Sequence, residues 1–447
     1  MTQLLAEVRA PRSVVFPGAE GWDEARLAWN LAVDQRPAAV AVPATAEEVA
    51  EVVRWAADAG YRVTGQSTGH NAAALGDLAG TVLVKLHELR GVTVDPEARV
   101  ARAPAGTIWI EVVEAAAEHG LAALAGSSPD VGVVGYTLGG GISFLARKHG
   151  LSANAVTAIE VVTPDGELRR VDRENDPDLF WALRGGGGSF GVVTAVELSL
   201  LPLESVVAGH LWFPVERAPE ILRAWREWTA TVPEDVTSVG RILQFPPIPE
   251  IPEPMRGNSY AVVQAVYCGD DASEMDRLLE PLRALGPVMD TFRVTPMVEL
   301  SHLHMDPEHP VPGAGDGGML DALPDEAIDA FVAGVVGKPI LSAEIRHLGG
   351  AVARPRAENG AVSAFAAPYL TFVVGITPTA EAKAAVEHAV EAVLAELEPW
   401  RSAHTYLNFA ESRRDPRTLW TEAAYRRLRR IKQVVDPGDV MRSNHPL

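Results

Sequence analysis

The chain has 447 residues, of which 47% are hydrophobic and 22% charged, so it is long enough for two globular domains. Its 59 acidic and 39 basic residues give a net charge of −20, which argues against nucleic acid or an anionic membrane surface as a partner. Cys268, the one cysteine, excludes an intrachain disulfide and a multi-cysteine metal site, and the lack of a signal-like start or a long apolar run predicts a cytoplasmic protein.

The N-terminal part of the chain alternates strand-like and helix-like segments. Short apolar runs predict strands at 38–42, 62–64, 81–86 and 100–103. A capping box at 45–48 predicts the start of a helix that Gly60 ends, and a second helix is predicted to be capped by Thr107 and to end at Gly120. Strands and helices that alternate over such short connections predict an α/β arrangement.

Glycine is concentrated in three loops, at 65–69, 126–141 and 185–191. The third loop formally matches G-x-G-x-x-G, but a predicted helix precedes it and a predicted strand follows it, which is the reverse of the Rossmann order. It is therefore either a tight turn that needs positive φ or a loop whose bare N–H groups approach a pyrophosphate. Three such loops without a neighbouring Lys/Arg cluster favour a cofactor with a phosphate bridge.

After about residue 205 the pattern changes to longer helices and strands separated by open loops. Helices are predicted near 216–230, 271–285, 323–334 and 379–397, and strands at 260–267 and 370–375. Two proline-rich or glycine-rich segments, 245–254 and 306–318, are predicted to be loops. These features predict a second α+β domain, and the basic stretch 413–432 is predicted to form the last amphipathic helix.

Several segments, in order along the chain, resemble the motifs of the berberine-bridge-enzyme-like flavoproteins, which belong to the vanillyl-alcohol-oxidase family. The strongest similarity lies at 64–71, 128–141, 147–154 and 179–193. Weaker similarity lies at the C-terminus, at 406–409, 431–437 and 442–446. The ordered set is more specific than any single motif.

This resemblance implies an α+β fold with two domains and FAD as the cofactor. A PCMH-type FAD-binding domain of two α+β subdomains would occupy 1–205 and 406–447, with its core at about 35–205. A substrate-binding domain, an antiparallel sheet with helices, would occupy 206–405. The C-terminal segment would thus return to the FAD-binding domain.

The same resemblance assigns cofactor-binding residues. They are Gly65, Gln66, Ser67, Thr68, Gly69, His70, Asn71, Ser128, Pro129, Gly132, Gly135, Gly139, Gly140, Gly141, Gly150, Asn154, Gly191, Val192, Val193, Asn408 and Asn444. It implies a covalent bond between His70 and the 8α-methyl group of the flavin, the alternative being an ordinary turn histidine. Ser128 stands where many relatives have a second, cysteinyl link, so at most one covalent bond is expected. Gln66 replaces an arginine that is frequent in the family.

Three residues are implied to take part in catalysis. Tyr406 is the first candidate for the base that takes a substrate proton. Val131 occupies the position that gates oxygen in relatives, unless it only packs the loop, and Tyr136 either faces the flavin ring or is a packed loop aromatic. Phe409 and Ile142 stand where relatives often have tyrosine, which predicts a less polar pocket and a bulky or apolar substrate rather than a free sugar.

The expected function is an FAD-dependent oxidase. It would transfer a hydride from a small organic substrate, an alcohol or phenol, to flavin N5, and O₂ would reoxidise the flavin to give H₂O₂. The alternatives are a dehydrogenase with another acceptor and a flavin-binding protein without turnover. His302 and His304 would share one face of a strand, but no third ligand accompanies them, so no metal site is expected. The oligomeric state is left open.

Overall fold

The computed structural model describes residues 10–447, which form three main β-sheets with helices packed on them. The first sheet has the order β1-β2-β4-β3, in which β2, β4 and β3 are parallel. Its strands are β1 Val14–Val15, β2 Ala39–Ala41, β3 Arg62–Gln66 and β4 Thr81–Lys85. Its helices are α1 Trp22–Ala25 and α2 Ala46–Asp58. The predicted strands at these positions are confirmed.

Helix α2 begins as its capping box predicts. The Thr45 hydroxyl accepts a hydrogen bond from the Glu48 backbone N–H at 3.2 Å, and the Glu48 carboxylate accepts one from the Ala44 N–H at 2.7 Å. Val49, Val52 and Val53 face inward and are fully buried. One amphipathic helix thus covers the buried parallel strands.

The second sheet is antiparallel, in the order β5-β6-β10-β8-β9. Its strands are β5 Thr93–Asp95, β6 Val100–Pro104, β8 Val156–Val162, β9 Leu168–Val171 and β10 Val192–Ser199, and the pair β7 Leu121–Ala122 and β11 Leu201–Pro202 lies beside it. Its helices are α3 Trp109–Ala117, α4 Val133–Leu138, α5 Ala146–His149 and α6 Pro177–Leu183. Helix α6 and strand β10 flank the third glycine loop in the reversed order expected.

The predicted cap of α3 is wrong. Ile108 is extended and pairs with Gly132, so the helix begins one residue later than Thr107 requires. The Glu111 carboxylate accepts from the Ile108 N–H at 3.1 Å instead, and the Thr107 hydroxyl has no hydrogen-bond partner within the described chain. Pairing with the glycine loop therefore decides where this helix starts.

The third sheet is an eight-stranded antiparallel sheet in the order β15-β12-β14-β13-β18-β19-β17, with β16 also paired to β12. Its strands are β12 Ser205–Pro214, β13 Val236–Gln244, β14 Ser259–Tyr267, β15 Met289–Asp290, β16 Arg293–Pro296, β17 Gly313–Leu320, β18 Ser342–His347 and β19 Tyr369–Ile376. Its helices are α7 Ala218–Thr229, α8 Ala272–Arg283, α9 Met297–Leu300, α10 Asp325–Val335 and α11 Ala380–Glu396. The predicted α+β fold, with an antiparallel sheet and helices in the second part, is confirmed.

Alternation along these strands separates two environments. Ile242, Ala343 and Ile345 point to the helix-covered core, where they meet side chains such as Trp225. The alternate residues, Arg241 on β13 and Glu344 and Arg346 on β18, point to the opposite face. That face is turned toward the first two sheets and carries the site described below.

The C-terminal segment packs against the first sheet. Met441 forms a parallel bridge with Val63, and the Arg442 N–H donates to the Val63 carbonyl at 2.8 Å. The last helix, α12 Glu422–Val435, has Tyr425, Leu428 and Ile431 buried, as predicted. The prediction of a helix from residue 413 is wrong, because 413–421 form a loop with a short 3-10 turn at Pro416–Thr418. Within residues 10–447 no helix is both long and apolar enough to cross a membrane.

Candidate functional site

A cavity of about 630 Å³ lies where loops of the first two sheets face the polar side of the third sheet. Its size is typical of a site for a small molecule or cofactor. It brings together most of the residues that the sequence singles out. They are Gly65, Gln66, Ser67, Thr68, Gly69, His70, Asn71, Ser128, Val131, Gly132, Gly135, Tyr136, Gly139, Tyr406, Asn408 and Asn444.

The other predicted cofactor residues lie outside the cavity lining. They are Pro129, Gly140, Gly141, Gly150, Asn154, Gly191, Val192 and Val193. Two of the glycines allow close packing in the surrounding structure: a Cβ on Gly141 would come within 2.5 Å of the Tyr136 ring, and one on Gly191 within 2.5 Å of the Val162 carbonyl oxygen. The Asn154 side chain accepts from the Gly360 N–H at 3.0 Å.

His70 is held by a tryptophan and a carboxylate. The Trp29 ring stacks on the imidazole with centroids 4.1 Å apart, and its Nε1–H donates to Asp130 Oδ2 at 2.5 Å. Asp130 Oδ1 lies 3.5 Å from His70 Nε2, and Thr68 Oγ1 lies 2.8 Å from His70 Nδ1. The imidazole therefore has one supported orientation at the cavity wall. Sequence reasoning missed Trp29 and Asp130, although Asp130 lies inside a recognised motif.

Tyr406 is 2% exposed and its hydroxyl is held by two donors. The Ile142 N–H donates to it at 3.0 Å and Asn408 Nδ2 at 2.8 Å. Burial raises the pKa of Tyr406 to about 12, although these two donors and the Arg346 guanidinium favour the phenolate. Ile142 therefore supports the Tyr406 hydroxyl through its backbone N–H, although its side chain has no hydroxyl.

Tyr136 lines the same cavity as Tyr406. Its hydroxyl is buried without a hydrogen-bond partner among the described residues, and burial raises the pKa of Tyr136. Its ring packs edge-on against Trp109, with centroids 5.2 Å apart. The residue is thus both a packed loop aromatic and a cavity residue with an unused polar atom.

The third sheet contributes a buried charged array, defined as Arg241 on β13 with Glu344 and Arg346 on β18. Arg346 Nε donates to Glu344 Oε1 at 2.7 Å and its terminal NH₂ donates to the Ser127 hydroxyl at 3.1 Å. Burial alone would raise the pKa of Glu344, but Arg346 and His304 outweigh it and hold that pKa below its ordinary value. Sequence reasoning missed this array, because alternation along a strand does not show which face meets a cofactor.

His302 and His304 do not share one face of a strand, so that prediction is wrong. Residues 301–304 form a turn, which sends the two side chains in different directions. His302 is exposed and its Nδ1 lies 2.6 Å from Glu308, whereas His304 is buried with its Nε2 2.7 Å from Glu344. Across residues 10–447, no group of three or more His, Cys, Asp or Glu residues could hold a metal ion.

Ser128 lies at the cavity, whereas the single cysteine, Cys268, lies away from it. The Ser128 hydroxyl lines the cavity and donates to the Asp306 carboxylate. Asp306 Oδ1 also lies 3.7 Å from the Arg241 guanidinium. Cys268 is buried in an apolar cluster elsewhere in the fold, as expected of a small apolar residue.

Glu411 is a further cavity residue that the sequence did not indicate. Burial, together with the nearby Asp316 carboxylate, raises the pKa of Glu411 to about 8. Asp316 accepts from Arg414 at 2.5 Å and from the Ser412 hydroxyl at 2.8 Å. The cavity thus has a carboxylic acid, Glu411, that is neutral near pH 7.

The residues present fit a large polar cofactor such as FAD. Gln66, Ser67, His70 and Tyr136 line the cavity, and each has a buried polar atom without a hydrogen-bond partner in the described structure, although the Asp130 carboxylate lies 3.5 Å from His70 Nε2. Such orphaned groups are rare in folded proteins and indicate a missing ligand or water. Glycines in the same wall leave backbone open to close approach, and a Cβ on Gly132 would come within 2.5 Å of Ser67 Oγ.

Comparison with known proteins agrees with this fit. Residues 37–172 match the FAD binding domain family. The chain is 36% identical to (R)-6-hydroxynicotine oxidase of Paenarthrobacter nicotinovorans, over 45% of this chain and 44% of that protein. It is 31% identical to xylooligosaccharide oxidase of Thermothelomyces thermophilus, over 59% of this chain and 52% of that protein. These matches thus span about half the length of each relative.

The fold of the whole chain is found in solved structures. Physcomitrella patens BBE-like 1 superposes with a TM-score of 0.85 at 18% identity, covering 100% of this chain and 98% of that one. The berberine bridge enzyme of Eschscholzia californica superposes with a TM-score of 0.83 at 18% identity, covering 100% and 99%. The predicted resemblance and cofactor are thereby confirmed: the chain has an FAD-binding domain at residues 37–172 and the fold of the berberine-bridge-enzyme-like flavoproteins.

Proposed function

We propose that the protein is an FAD-dependent oxidase of a small organic substrate, an alcohol or a phenol. Bound FAD would supply the hydride acceptor and the reaction with O₂. The observation that carries the proposal is the placement of Tyr406 and the charged array in the same cavity as the predicted cofactor loops. A substrate in this cavity would meet a proton acceptor and a charged anchor beside the cofactor. The names of the two curated relatives support oxidase activity.

Tyr406 is proposed to hold and accept the substrate's O–H proton. The Ile142 N–H and Asn408 Nδ2 donate to its oxygen, so once Tyr406 has lost its own proton to solvent the phenolate keeps these two donors and can accept a third hydrogen bond from the substrate O–H. As the C–H bond breaks, the substrate oxygen loses its proton, and the phenolate of Tyr406 is the base that takes it. The two donors and Arg346 stabilise that phenolate.

The cavity is proposed to select a substrate with an apolar body and one polar end. Leu243, Phe245, Phe372, Val374 and Ile376 form an apolar wall. The charged array lies on the same sheet, so a polar end would reach Arg241 or Arg346 while the body packs against the wall. The centre of the Phe409 ring lies 5.0 Å from the Arg346 guanidinium carbon. Phe409 adds apolar surface at a position where a tyrosine would add a hydroxyl.

Val131 and His70 complete the proposal. Val131 lines the cavity and is half-buried, and its small side chain is proposed to leave space for O₂ beside bound FAD. His70 is proposed to carry the covalent bond to the flavin, which is supported by its fixed orientation between Trp29 and Asp130. The division into an FAD-binding domain at 1–205 and 406–447 and a substrate-binding domain at 206–405 is likewise proposed, supported by the contact of Met441 with Val63.

The oxidase proposal is tested by mixing the purified flavoprotein with a panel of alcohols and phenols without oxygen. A substrate should bleach the flavin absorbance, and admitting air should restore it with release of one H₂O₂ per flavin. Rapid bleaching followed by slow recovery in air would identify a dehydrogenase instead. If no member of the panel bleaches the flavin, the assigned substrate class is wrong.

The covalent bond is tested separately by acid precipitation. Flavin fluorescence should remain in the pellet of the unmodified protein and move to the supernatant in His70→Ala. An Asn71→Ala variant is the matched control, because it alters the next residue of the same loop without removing the nucleophile. Flavin found only in the supernatant of the unmodified protein would show that FAD is not covalently bound.

A further inference from the structure

Lys85, the last residue of β4, is a buried cation without an ion pair. Its side chain is 7% exposed, and its ammonium donates to the Leu27 carbonyl at 2.5 Å and to Gln66 Oε1 at 2.9 Å. No carboxylate of residues 10–447 forms an ion pair with it, and burial lowers the pKa of Lys85 to about 8. Burying an ammonium without a counter-ion is costly. Two carbonyl oxygens therefore satisfy hydrogen bonds of the ammonium, while no described carboxylate compensates its charge.

Gln66 lies between this cation and the cavity. It is the register partner of Lys85 across β3 and β4, it is 6% exposed, and it lines the cavity. An ammonium has donors only, so the atom of Gln66 that faces Lys85 must be the carbonyl oxygen. The Gln66 amide nitrogen is then fixed on the other side, and it has no hydrogen-bond partner among the described residues.

We infer that Lys85, acting through the Gln66 amide, forms a positively polarised wall of the cavity that binds an anionic group of the cofactor. Lys85 is a positioning residue here, because Gln66 makes the contact. The inference rests on the proposed binding of FAD in this cavity. FAD offers two sources of negative charge, the pyrophosphate, which is always charged, and the isoalloxazine ring, which gains charge on reduction.

The two sources have different consequences. A contact with the pyrophosphate strengthens binding of oxidised FAD and leaves its midpoint potential unchanged. A contact with the ring leaves the affinity for oxidised FAD unchanged and raises the midpoint potential, because the charge that forms on reduction is stabilised. A purely structural role of Lys85, which ties the Leu27 carbonyl and with it the nearby Trp29 to the sheet, would be lost in Lys85→Met but kept in Gln66→Leu. An effect confined to Lys85→Met would therefore overturn the inference.

The test compares Lys85→Met with the unmodified residue in a His70→Ala background, where FAD is free to exchange. The affinity for oxidised FAD is measured by fluorescence titration and the midpoint potential by equilibration with a reference dye. We expect either an affinity at least tenfold weaker or a redox equilibrium shifted at least tenfold, which is about 30 mV for two electrons. Lys383→Met removes the same charge from a half-buried site beside Glu387, where the ammonium likewise donates to a backbone carbonyl, that of Ala32, and should change neither.

Gln66→Leu provides a second variant if Lys85→Met does not fold. It should change the same quantity in the same direction, and the double variant should lose less than the sum of the two, because both act on one contact. A folded Lys85→Met protein with unchanged affinity and unchanged potential would overturn the inference. Neither measurement uses a substrate, so this result is independent of whether the oxidase proposal holds.

Discussion

At the scale of single residues, the site depends on polar groups that are buried but only partly satisfied. Tyr406, Glu344 and Lys85 each carry a shifted pKa, and each shift has a named cause: burial, ion pairing, or burial without a counter-ion. Tyr406 and Glu344 line one cavity and Lys85 contacts it through Gln66, and such perturbed groups around a cavity are characteristic of functional sites. Their substitution therefore has consequences that differ from those of the surrounding apolar residues.

Replacing Tyr406 by phenylalanine should slow substrate oxidation by about 10²–10⁴-fold, the usual contribution of a general base. The flavin spectrum should stay unchanged, because the aromatic ring at position 406 and its packing remain.

The pH dependence of the unmodified protein gives a second check. The phenolate fraction of Tyr406 rises tenfold per pH unit below a pKa of about 12, so the rate of flavin reduction should rise with pH. Stopped-flow measurement across the stable pH range checks both expectations. A Tyr406→Phe profile that still rises with pH in the same way would exclude Tyr406 as the base.

Glu344→Gln should lower the free energy of unfolding at pH 7 by about 3–5 kcal/mol, because it leaves buried Arg346 without its charged partner. The folded-state pKa of Glu344 is depressed, so its contribution is present above the unfolded value of ~4.3 and is lost as pH falls through the folded-state value. The stability difference should thus shrink in acid. Denaturant titration at two pH values measures this, with exposed Glu387→Gln as the control. Equal losses in the two variants would contradict the assignment.

At the scale of elements, the fold was more predictable than the site. The strands at 62–64 and 81–86 and the cap at Thr45 follow from local periodicity and capping chemistry, and all are observed. The start of α3 was not predictable, since it depends on Ile108 pairing with a loop distant in sequence. The cofactor loops were recognisable from ordered motifs, whereas the charged array depends on which face of β18 meets those loops.

Two glycines with positive φ allow the cost of a side-chain clash to be separated from the cost of the backbone conformation. Gly141→Ala should destabilise the protein by about 3 kcal/mol or more, because its φ is +75° and a new Cβ would meet the Tyr136 ring and Ser152. Gly60→Ala, with φ of +78° and open space around it, should cost only about 1–2 kcal/mol. Thermal unfolding of both variants tests the difference. Similar losses would mean that the packing around Gly141 relaxes freely.

At the scale of the whole molecule, one cavity joins three parts of the chain that are far apart in sequence. The loops near His70, the third sheet near Glu344 and the segment near Tyr406 all contribute to its wall. The C-terminal residues reach it as well, through Asn444, whose amide donates to the Asn71 carbonyl at 2.8 Å. The site therefore requires the complete fold and does not belong to one segment.

In a His70→Ala background, where FAD is not covalently held, removal of residues 441–447 should weaken FAD retention without abolishing the sheets. The truncation deletes the bridge of Met441 to Val63 and the contact of Asn444 with Asn71. Flavin content per chain after purification, together with circular dichroism, measures the two effects. Asn444→Ala serves as the milder comparison, because it removes one contact and keeps the bridge. Full flavin content in the truncated protein would show that the C-terminal contacts do not support the site.

The two-residue alternation of β18 has a practical consequence for changing what the protein accepts. Glu344 and Arg346 face the cavity, whereas Ala343 and Ile345 face the helices. Randomising only those residues of β13, β18 and β19 whose side chains face the cavity would vary the side chains presented to a ligand. The residues that face the helix-covered core would stay the same. Deleting one residue within β18 would exchange the two sets, placing charges in the core and alanine at the site. Outside the Glu344–Arg346 ion pair, substitution on the cavity face of this sheet should therefore be tolerated more readily than a change in strand length.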